Sequence, residues 1–476
     1  MDDFFVGRNV ELDSLREEYS RDSAFVVIYG RRRVGKTTLI KEFIKDKHAL
    51  YFLATQEPES QNIQEFARKT ADFTGLDYLR SAKFQNWHAV FEAFVREKQS
   101  EKKILVIDEF QYLVQANSAF PSVFQKVWDE ILKDHNVMVI LCGSLINMMT
   151  TQVLSYNSPL YGRRTSQMRL KPLSFSEVRK FFPEKSFAEQ VELYSICGGV
   201  PKYLDFFRGK GTITDHVQLN ILRPSGFLYE EPSFLLSSEV REPINYFSIL
   251  KTIAAGNHKL LQISTVLEQK SNSLSPYLSV LIELGLLERR IPVTEENPQK
   301  SRKGLFFISD PFIDFWFKYV YPHRSELELG NDASVLRLLE MNFRTEKVPL
   351  VYEDICREIF MRLCREGKIA FVPGVVGSYW NTDSSVQIDV VALDTQRKRI
   401  FVGECTYTRN PVSLRVYADL QKKCESGVFS QYEIVYGLFS KSGFDARVME
   451  IASQNPNLIL VDKDQLIQYS ENNGTF

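Results

Sequence analysis

The chain has 476 residues, 44% of them hydrophobic and 25% charged. That supports about three or four domains with real cores and excludes a wholly disordered protein. The formal charge is −1, so no global positive field draws the chain to nucleic acid, and any such contact must come from a local patch.

Residues 1–170 read as α/β. Helices are predicted over 11–19, 37–47, 84–98 and 121–132, and buried strands over 24–29, 50–54, 104–107 and 137–142. Apolar runs alternating with amphipathic segments predict a parallel sheet with helices on both faces. In 171–235 the strand signal fades, and helices over 174–182, 187–196 and 202–207 predict a small helical subdomain. Residues 236–325 hold helices at 260–267 and 274–284 around the polar turn 268–273, then strands at 286–293 and 305–309 around the polar stretch 294–304. Helix, turn, helix and two strands describe a winged helix. Residues 326–352 read as helix or linker. Residues 353–476 return to α/β, with helices over 352–365 and 414–424, a strand pair at 386–393 and 399–404 around the turn 394–398, and strands at 433–438 and 458–461. The six cysteines are scattered with no C-x-x-C pair, which points away from zinc or disulfides and toward a reducing cytoplasm. No apolar run approaches the ~18 residues of a membrane span, and the acidic MDDFFVGR start lacks the apolar core of a signal peptide. A cytoplasmic chain with no membrane partner is expected.

Gly30-Arg31-Arg32-Arg33-Val34-Gly35-Lys36-Thr37 matches G-x-x-x-x-G-K-[ST] between a buried strand and an amphipathic helix. Glycines there let backbone N–H groups wrap phosphates at a helix N-terminus. Lys36 reaches the β and γ phosphates in such a loop, and the Thr37 hydroxyl holds Mg²⁺. Gly30, Arg33, Gly35, Lys36, Thr37 and Thr38 are the candidate nucleotide-binding residues of this loop. The strand 104–107 ends in Asp108-Glu109. Asp108 is the candidate Mg²⁺ ligand and Glu109 the candidate general base for the attacking water. Ser144, at the end of strand 137–142, is a candidate γ-phosphate sensor or an ordinary turn serine. Arg163 and Arg164 are candidate arginine fingers or a solvated basic pair. A finger acting in trans implies a homo-oligomer. No N-K-x-D guanine signature is present, so the expected nucleotide is ATP.

These residues carry a resemblance. FVGR at 5–8, the P-loop, VIDEFQYL at 106–113, CGS at 142–144, PLYGRR at 159–164, LKPLSFSEV at 170–178, GGVPKYL at 198–204 and DPFIDFWFKYVYP at 310–322 resemble the archaeal-type P-loop ATPases of the AAA/STAND group. The resemblance covers nearly the whole chain. It implies a P-loop ATPase core over 1–170, a helical lid over 171–235, a winged helix over 236–325, a linker over 326–352 and a restriction-endonuclease-like domain over 353–476. It also implies Gly7 and Arg8 near the nucleotide base and Pro201 of the lid against the nucleotide.

In 353–476, Asp389 and Glu404 stand on paired strands and Glu353 on the preceding helix. This resembles the PD-(D/E)xK nuclease layout, in which acids hold Mg²⁺ and a lysine stabilises the phosphate. Asp389, Glu404 and Glu353 are therefore candidate metal ligands. The lysine position is Thr406, which cannot supply charge. Either Lys422 or Lys423 of the next helix supplies it, or the domain binds without cleaving. Asp389 and Glu404 also read simply as surface acids. In the winged helix, the second helix carries no Arg or Lys, and basic residues lie at Arg289, Arg290, Lys300, Arg302 and Lys303. They read as a DNA-backbone wing or as a solvated loop on a packing module. Phe312, Phe315, Trp316, Phe317 and Tyr319 read as core by their density and apolar setting, with a nucleic-acid stacking set as the alternative. Three functions remain open: an ATPase controlling a DNA-directed effector on double-stranded DNA, a slow nucleotide switch gating protein assembly, and an ATP-regulated nuclease.

Overall fold

In a computed structural model of the protein, the described residues are 5–96, 101–394, 398–425 and 427–467. Residues 97 and 98 of the helix predicted over 84–98, and 395–397 of the turn predicted over 394–398, lie outside them. The chain divides into two compact units. The first holds the residues to Leu173 together with Gly199–Asp205 and Ser233–Arg241. The second holds Ser174–Gly198, Phe206–Pro232 and the residues from Glu242 onward.

The first unit is built on five strands: β1 (Ala24–Tyr29), β2 (Ala49–Leu53), β3 (Lys103–Asp108), β4 (Val137–Gly143) and β5 (Ser166–Arg169), in the parallel order β2-β3-β4-β1-β5. Alternation of side chains gives each face its own core. Phe25, Val27, Leu105 and Ile107 pack on one side with Trp87, Phe91 and Phe124. Ala24, Val26, Ile28, Ile104 and Val106 pack on the other with Leu39, Ile40 and Phe43. Strands covered on both faces carry continuous apolar runs, as at 24–29, 104–107 and 137–142, which is why β1, β3 and β4 are legible. The order puts the carboxyl ends of β3, β4 and β1 side by side, so the segments that follow them converge. Helix α1 (Asn9–Tyr19) precedes β1, α2 (Lys36–Ile44) follows the P-loop, and α3 (Phe110–Ala116) follows β3.

The second unit contains α4 (Pro243–Ala254), α5 (Leu260–Val266) and α6 (Ser271–Glu283), then an antiparallel ribbon of β6 (Leu287–Arg290) and β7 (Leu305–Ile308). Helix α6 starts three residues before its predicted bound, with Pro276 inside its early turns. Residues 326–352 are largely helical rather than an extended linker, and α7 (Val348–Arg365) begins before residue 352. Phe312, Phe315, Trp316, Phe317 and Tyr319 are all buried, and the Trp316 indole donates to the Tyr229 carbonyl at 2.7 Å. They are core, as read from the sequence.

A second sheet follows: β8 (Val375–Trp380), β9 (Gln387–Asp394), β10 (Arg399–Thr406), β11 (Glu433–Ser440), β12 (Leu458–Asp462) and β13 (Gln465–Leu466), ordered β13-β12-β11-β10-β9-β8. β10, β11 and β12 are parallel, whereas β8, β9 and β10 form an antiparallel meander. One face packs on α7, where Phe360 stacks on Phe401 at 4.1 Å. The other packs on α8 (Leu414–Cys424) and α9 (Ala446–Gln454) through Tyr417, Leu420 and Val448.

Candidate nucleotide site and C-terminal acidic site

The loop after β1 is turned by left-handed backbone at Arg33 (φ 69°) and Gly35 (φ 92°). Gly30 is required by space as well as conformation: at φ 152°, a β-carbon there would stand 2.4 Å from the Leu170 carbonyl oxygen. Lys36 is buried, and its ammonium donates to the Gly30 and Arg31 carbonyls at 2.8 and 2.9 Å. Burial pushes its pKa down, while Cys142, Glu109 and Asp108 pull the other way. Thr38 is exposed on α2.

The Thr37 hydroxyl donates to Asp108 Oδ2 at 2.9 Å. Tyr51 donates to the same oxygen, and burial followed by that bond raises its phenol. A hydroxyl and a carboxylate meeting at the phosphate loop are the two protein ligands that Mg²⁺ takes beside phosphate oxygens. Glu109 begins α3 in left-handed backbone (φ 55°). Its Oε2 accepts from Ser144 Oγ at 2.7 Å and from Gln111 Nε2, and Gln111 in turn donates to Ser144 Oγ at 3.1 Å. Glu109, Gln111 and Ser144 thus form one closed cluster. Gln111 was not foreseen, because its partner lies on another strand end.

Ser144 directly fixes Glu109. Arg8 directly fixes the loop: its guanidinium donates to the Val34 carbonyl at 3.0 Å and the Lys171 carbonyl at 2.7 Å, and pairs with Glu11 at 3.0 Å. Gly7 turns the chain ahead of it at φ 73°. Pro201 lies beside the P-loop, since a side chain on Gly35 would meet its Cγ at 3.7 Å. Arg163 and Arg164 divide. Arg163 forks onto Asp129 at 2.8–3.1 Å and donates to the Pro159 carbonyl at 2.9 Å. Those bonds engage its guanidinium within its own loop. The Arg164 guanidinium lies 5.3 Å from the Tyr161 ring centre. Glu239 is a further unforeseen neighbour: its Oε1 accepts the Ile146 N–H at 3.4 Å, and burial raises its carboxyl against the pull of Arg32 and Lys36.

In the second unit, Lys423 clamps Glu404 at 2.9 and 3.1 Å. Lys423, one of the two α8 lysines the sequence offered, therefore places a cation beside Glu404. Asp389 Oδ2 accepts the Cys405 N–H at 2.8 Å. Burial and Asp389 raise Glu353 to about 8 and Glu404 to about 7. The three acids do not form a metal cage. Among the described residues no group of three His, Cys, Asp or Glu side chains is placed to hold an ion. The physical reason is that Glu353 and Asp389 line one cavity, while Glu404 faces another with Lys423. An acid whose folded pKa is raised loses stability as pH climbs from the unfolded value near 4.5 to the folded one. Stability should therefore fall from pH 4.5 to about 8 and then level off, and Glu353→Gln should flatten that fall. Urea unfolding of both chains at the two ends of the range measures it.

The basic wing residues are mostly taken up inside the fold. Arg289 donates to the Ser301 carbonyl at 2.6 Å, Arg290 pairs with Asp354 at 2.8 Å, and Lys303 pairs with Glu295 at 2.6 Å. Lys300 and Arg302 are exposed.

Two family descriptions match parts of the chain. Residues 5–207 match a family described as an ATPase domain predominantly from Archaea, so the chain carries an ATPase domain. Residues 316–419 match a family described as archaeal and bacterial proteins of unknown function. Among solved structures, the chain is similar to a Walker-type ATPase of Pyrococcus abyssi (19% identity, 66% of this chain and 96% of that one, TM-score 0.47). It is also similar to the ORC2 protein of Aeropyrum pernix in ADPNP–ADP complexes (13%, 72% and 98%, TM-score 0.46). Among the described residues no helix is long and apolar enough to cross a membrane. The uncharacterized protein MJECL04 of Methanocaldococcus jannaschii is 34% identical over 440 residues, covering 92% of this chain and 95% of that protein. On that relationship the chain belongs to the same family as the Methanocaldococcus protein, with an archaeal ATPase domain at its N-terminal end.

Proposed function

We propose that the protein is a Mg²⁺-dependent, ATP-hydrolysing regulator whose turnover is coupled to double-stranded DNA. The observation that carries the hydrolytic part is the Glu109–Gln111–Ser144 cluster beside Thr37 and Asp108. A carboxylate fixed by two side chains at the phosphate end of a parallel sheet can orient water and take its proton. Gly30, Arg33, Gly35, Lys36 and Thr37 form the phosphate loop, with Pro201 beside it and Gly7 and Arg8 bracing it. Thr37 and Asp108 hold Mg²⁺. When bound, that ion neutralises charge developing on the phosphate oxygens. Arg164 is the residue offered to a neighbouring copy's nucleotide in a homo-oligomer. Phosphate release from ATP that requires Mg²⁺ and stops on chelation supports this reading, and release at the buffer rate removes it.

The DNA part rests on the second unit. Its helix–turn–helix and two-stranded ribbon have the order of a winged helix, and Lys300 and Arg302 are the exposed cations of its loop. The C-terminal sheet, in which an antiparallel meander leads into parallel strands, is what supports a restriction-endonuclease-like reading. A nuclease reading is favoured by one observation, the Lys423 ammonium on Glu404. It is weakened by Asp389 and Glu404 lining different cavities. A supercoiled plasmid incubated with the protein in Mg²⁺ or Mn²⁺ decides between binding and cleavage.

A further inference from the structure

A cavity of about 1130 Å³ opens at the carboxyl end of β10. Five cations line it, Arg344, Arg409, Lys422, Lys423 and Lys441, against the acids Glu340, Glu404 and Asp419. The excess of positive charge suits a polyanion. The cations differ in what holds them. Lys423 grips Glu404. Lys441 sits 3.8 Å from the Tyr407 ring centre, and burial lowers its pKa. Arg409 and Lys422 face solvent.

Arg344 is held differently. Its side chain is 65% exposed, yet its Nε and Nη2 donate to both oxygens of Glu192 at 2.9 and 3.1 Å, and the Glu192 side chain is only 11% exposed. The pairing raises the Arg344 pKa further. A planar guanidinium gripping two oxygens of one anion is the geometry in which arginine also takes a phosphate. Glu192 lies on the helix Phe187–Cys197. The Tyr407 hydroxyl, from the same cavity wall, donates to the Ala188 carbonyl of that helix at 3.3 Å. Two residues of the wall therefore hold one helix. The chain runs on from that helix through Gly198 to Pro201, the proline beside the P-loop glycine.

We propose that Glu192 is a built-in competitor for the DNA backbone: it occupies Arg344 in the DNA-free chain, and a phosphodiester group of double-stranded DNA entering the cavity exchanges with it. The proposal rests on the DNA-coupled reading above and names the contact through which that coupling runs. Exchange removes the two Arg344 bonds to the Phe187–Cys197 helix and leaves the Tyr407 bond. Linkage then requires that any factor by which a bound nucleotide changes DNA affinity equals the factor by which DNA changes nucleotide affinity.

The test is fluorescence anisotropy of a labelled duplex oligonucleotide titrated with the full chain. It is run on wild type, Glu192→Gln, Arg344→Ala and the double variant over a salt series. Deleting a partly exposed ion-pair competitor should tighten binding by about fivefold in Glu192→Gln. Arg344→Ala should bind more weakly, with a salt slope shallower by about one. The double variant should behave as Arg344→Ala, because Glu192 acts through Arg344. Arg344 is on the exposed side of the pair, so its variant is informative even where the buried Glu192 position tolerates change poorly. Hydrolysis of ATP without DNA serves as the fold control. Wild-type affinity in Glu192→Gln overturns the proposal, as does equal tightening in the Arg344→Ala background. A wild-type chain that binds no duplex at any salt overturns the DNA reading itself and the exchange with it, a result distinct from the first two.

Discussion

Lys36→Ala is expected to remove ATP binding. The Lys36 ammonium is the buried cation at the centre of the phosphate loop, already turned onto the Gly30 and Arg31 carbonyls at 2.8 and 2.9 Å. Burial penalises it there, so the loop holds a charge that is underused until phosphate oxygens meet it. Two charge-assisted hydrogen bonds to those oxygens contribute roughly 3–6 kcal/mol, or about a hundredfold or more in affinity. The fold should survive, because α2 keeps Leu39, Ile40 and Phe43 in the core. Calorimetric titration with ATP and an unchanged far-ultraviolet dichroism spectrum check both halves. An affinity within a few-fold of wild type contradicts the assignment.

Glu109→Gln should do the opposite: retain ATP and stop turnover. Glutamine preserves the size of the side chain and can still meet Ser144 and Gln111. It cannot take a proton from water. Loss of a positioned general base costs on the order of 10²–10⁴ in rate. A second variant, Ser144→Ala, separates two roles for the Ser144 contact. If Ser144 senses the γ-phosphate, Ser144→Ala lowers the rate and also changes the preference for ATP over ADP. If it only orients Glu109, the rate falls while the nucleotide preference stays. Wild-type turnover in Glu109→Gln shows that another group activates the water.

The parts of this site that were legible in the sequence are those whose chemistry is contiguous. The phosphate loop and Asp108-Glu109 declare themselves because backbone geometry forces glycine, lysine, threonine and acid into fixed spacing after buried strands. The α8 lysine beside Glu404 was also legible, since Lys422 and Lys423 were the cations the sequence offered there. What was not legible is pairing across distance. Gln111 reaches Ser144 only because β3 and β4 are neighbours in the sheet. Arg8, read as lying near the nucleotide base, donates to the Val34 and Lys171 carbonyls, and Arg163, read as a finger or a solvated basic pair, pairs with Asp129; no sequence spacing marks either partner. Arg289, Arg290 and Lys303 look like a basic wing on paper, yet each is turned inward onto a carbonyl or a carboxylate. Charge counts along a chain cannot show which cations the fold has already engaged. Among the strands, β5 escaped notice because Ser166–Arg169 is a short edge strand of partly exposed, mainly polar residues. No apolar run marks such a strand.

The two cavities of the second unit explain why the three acids misled. Sequence spacing places Asp389 and Glu404 on paired strands, and the pairing is real. The separation arises because Asp389 is tied to the Cys405 N–H and Glu404 is drawn to Lys423. The carboxylates feel each other's charge without converging as ligands.

The proposed coupling of ATP hydrolysis to DNA binding in one chain is read out by steady-state ATP hydrolysis in Mg²⁺, with and without linear double-stranded DNA across a salt series. Coupling gives a rate that rises with DNA and a stimulation that fades as salt releases the phosphate contacts. A rate indifferent to DNA at every salt concentration contradicts the coupling and leaves a nucleotide switch that gates protein assembly.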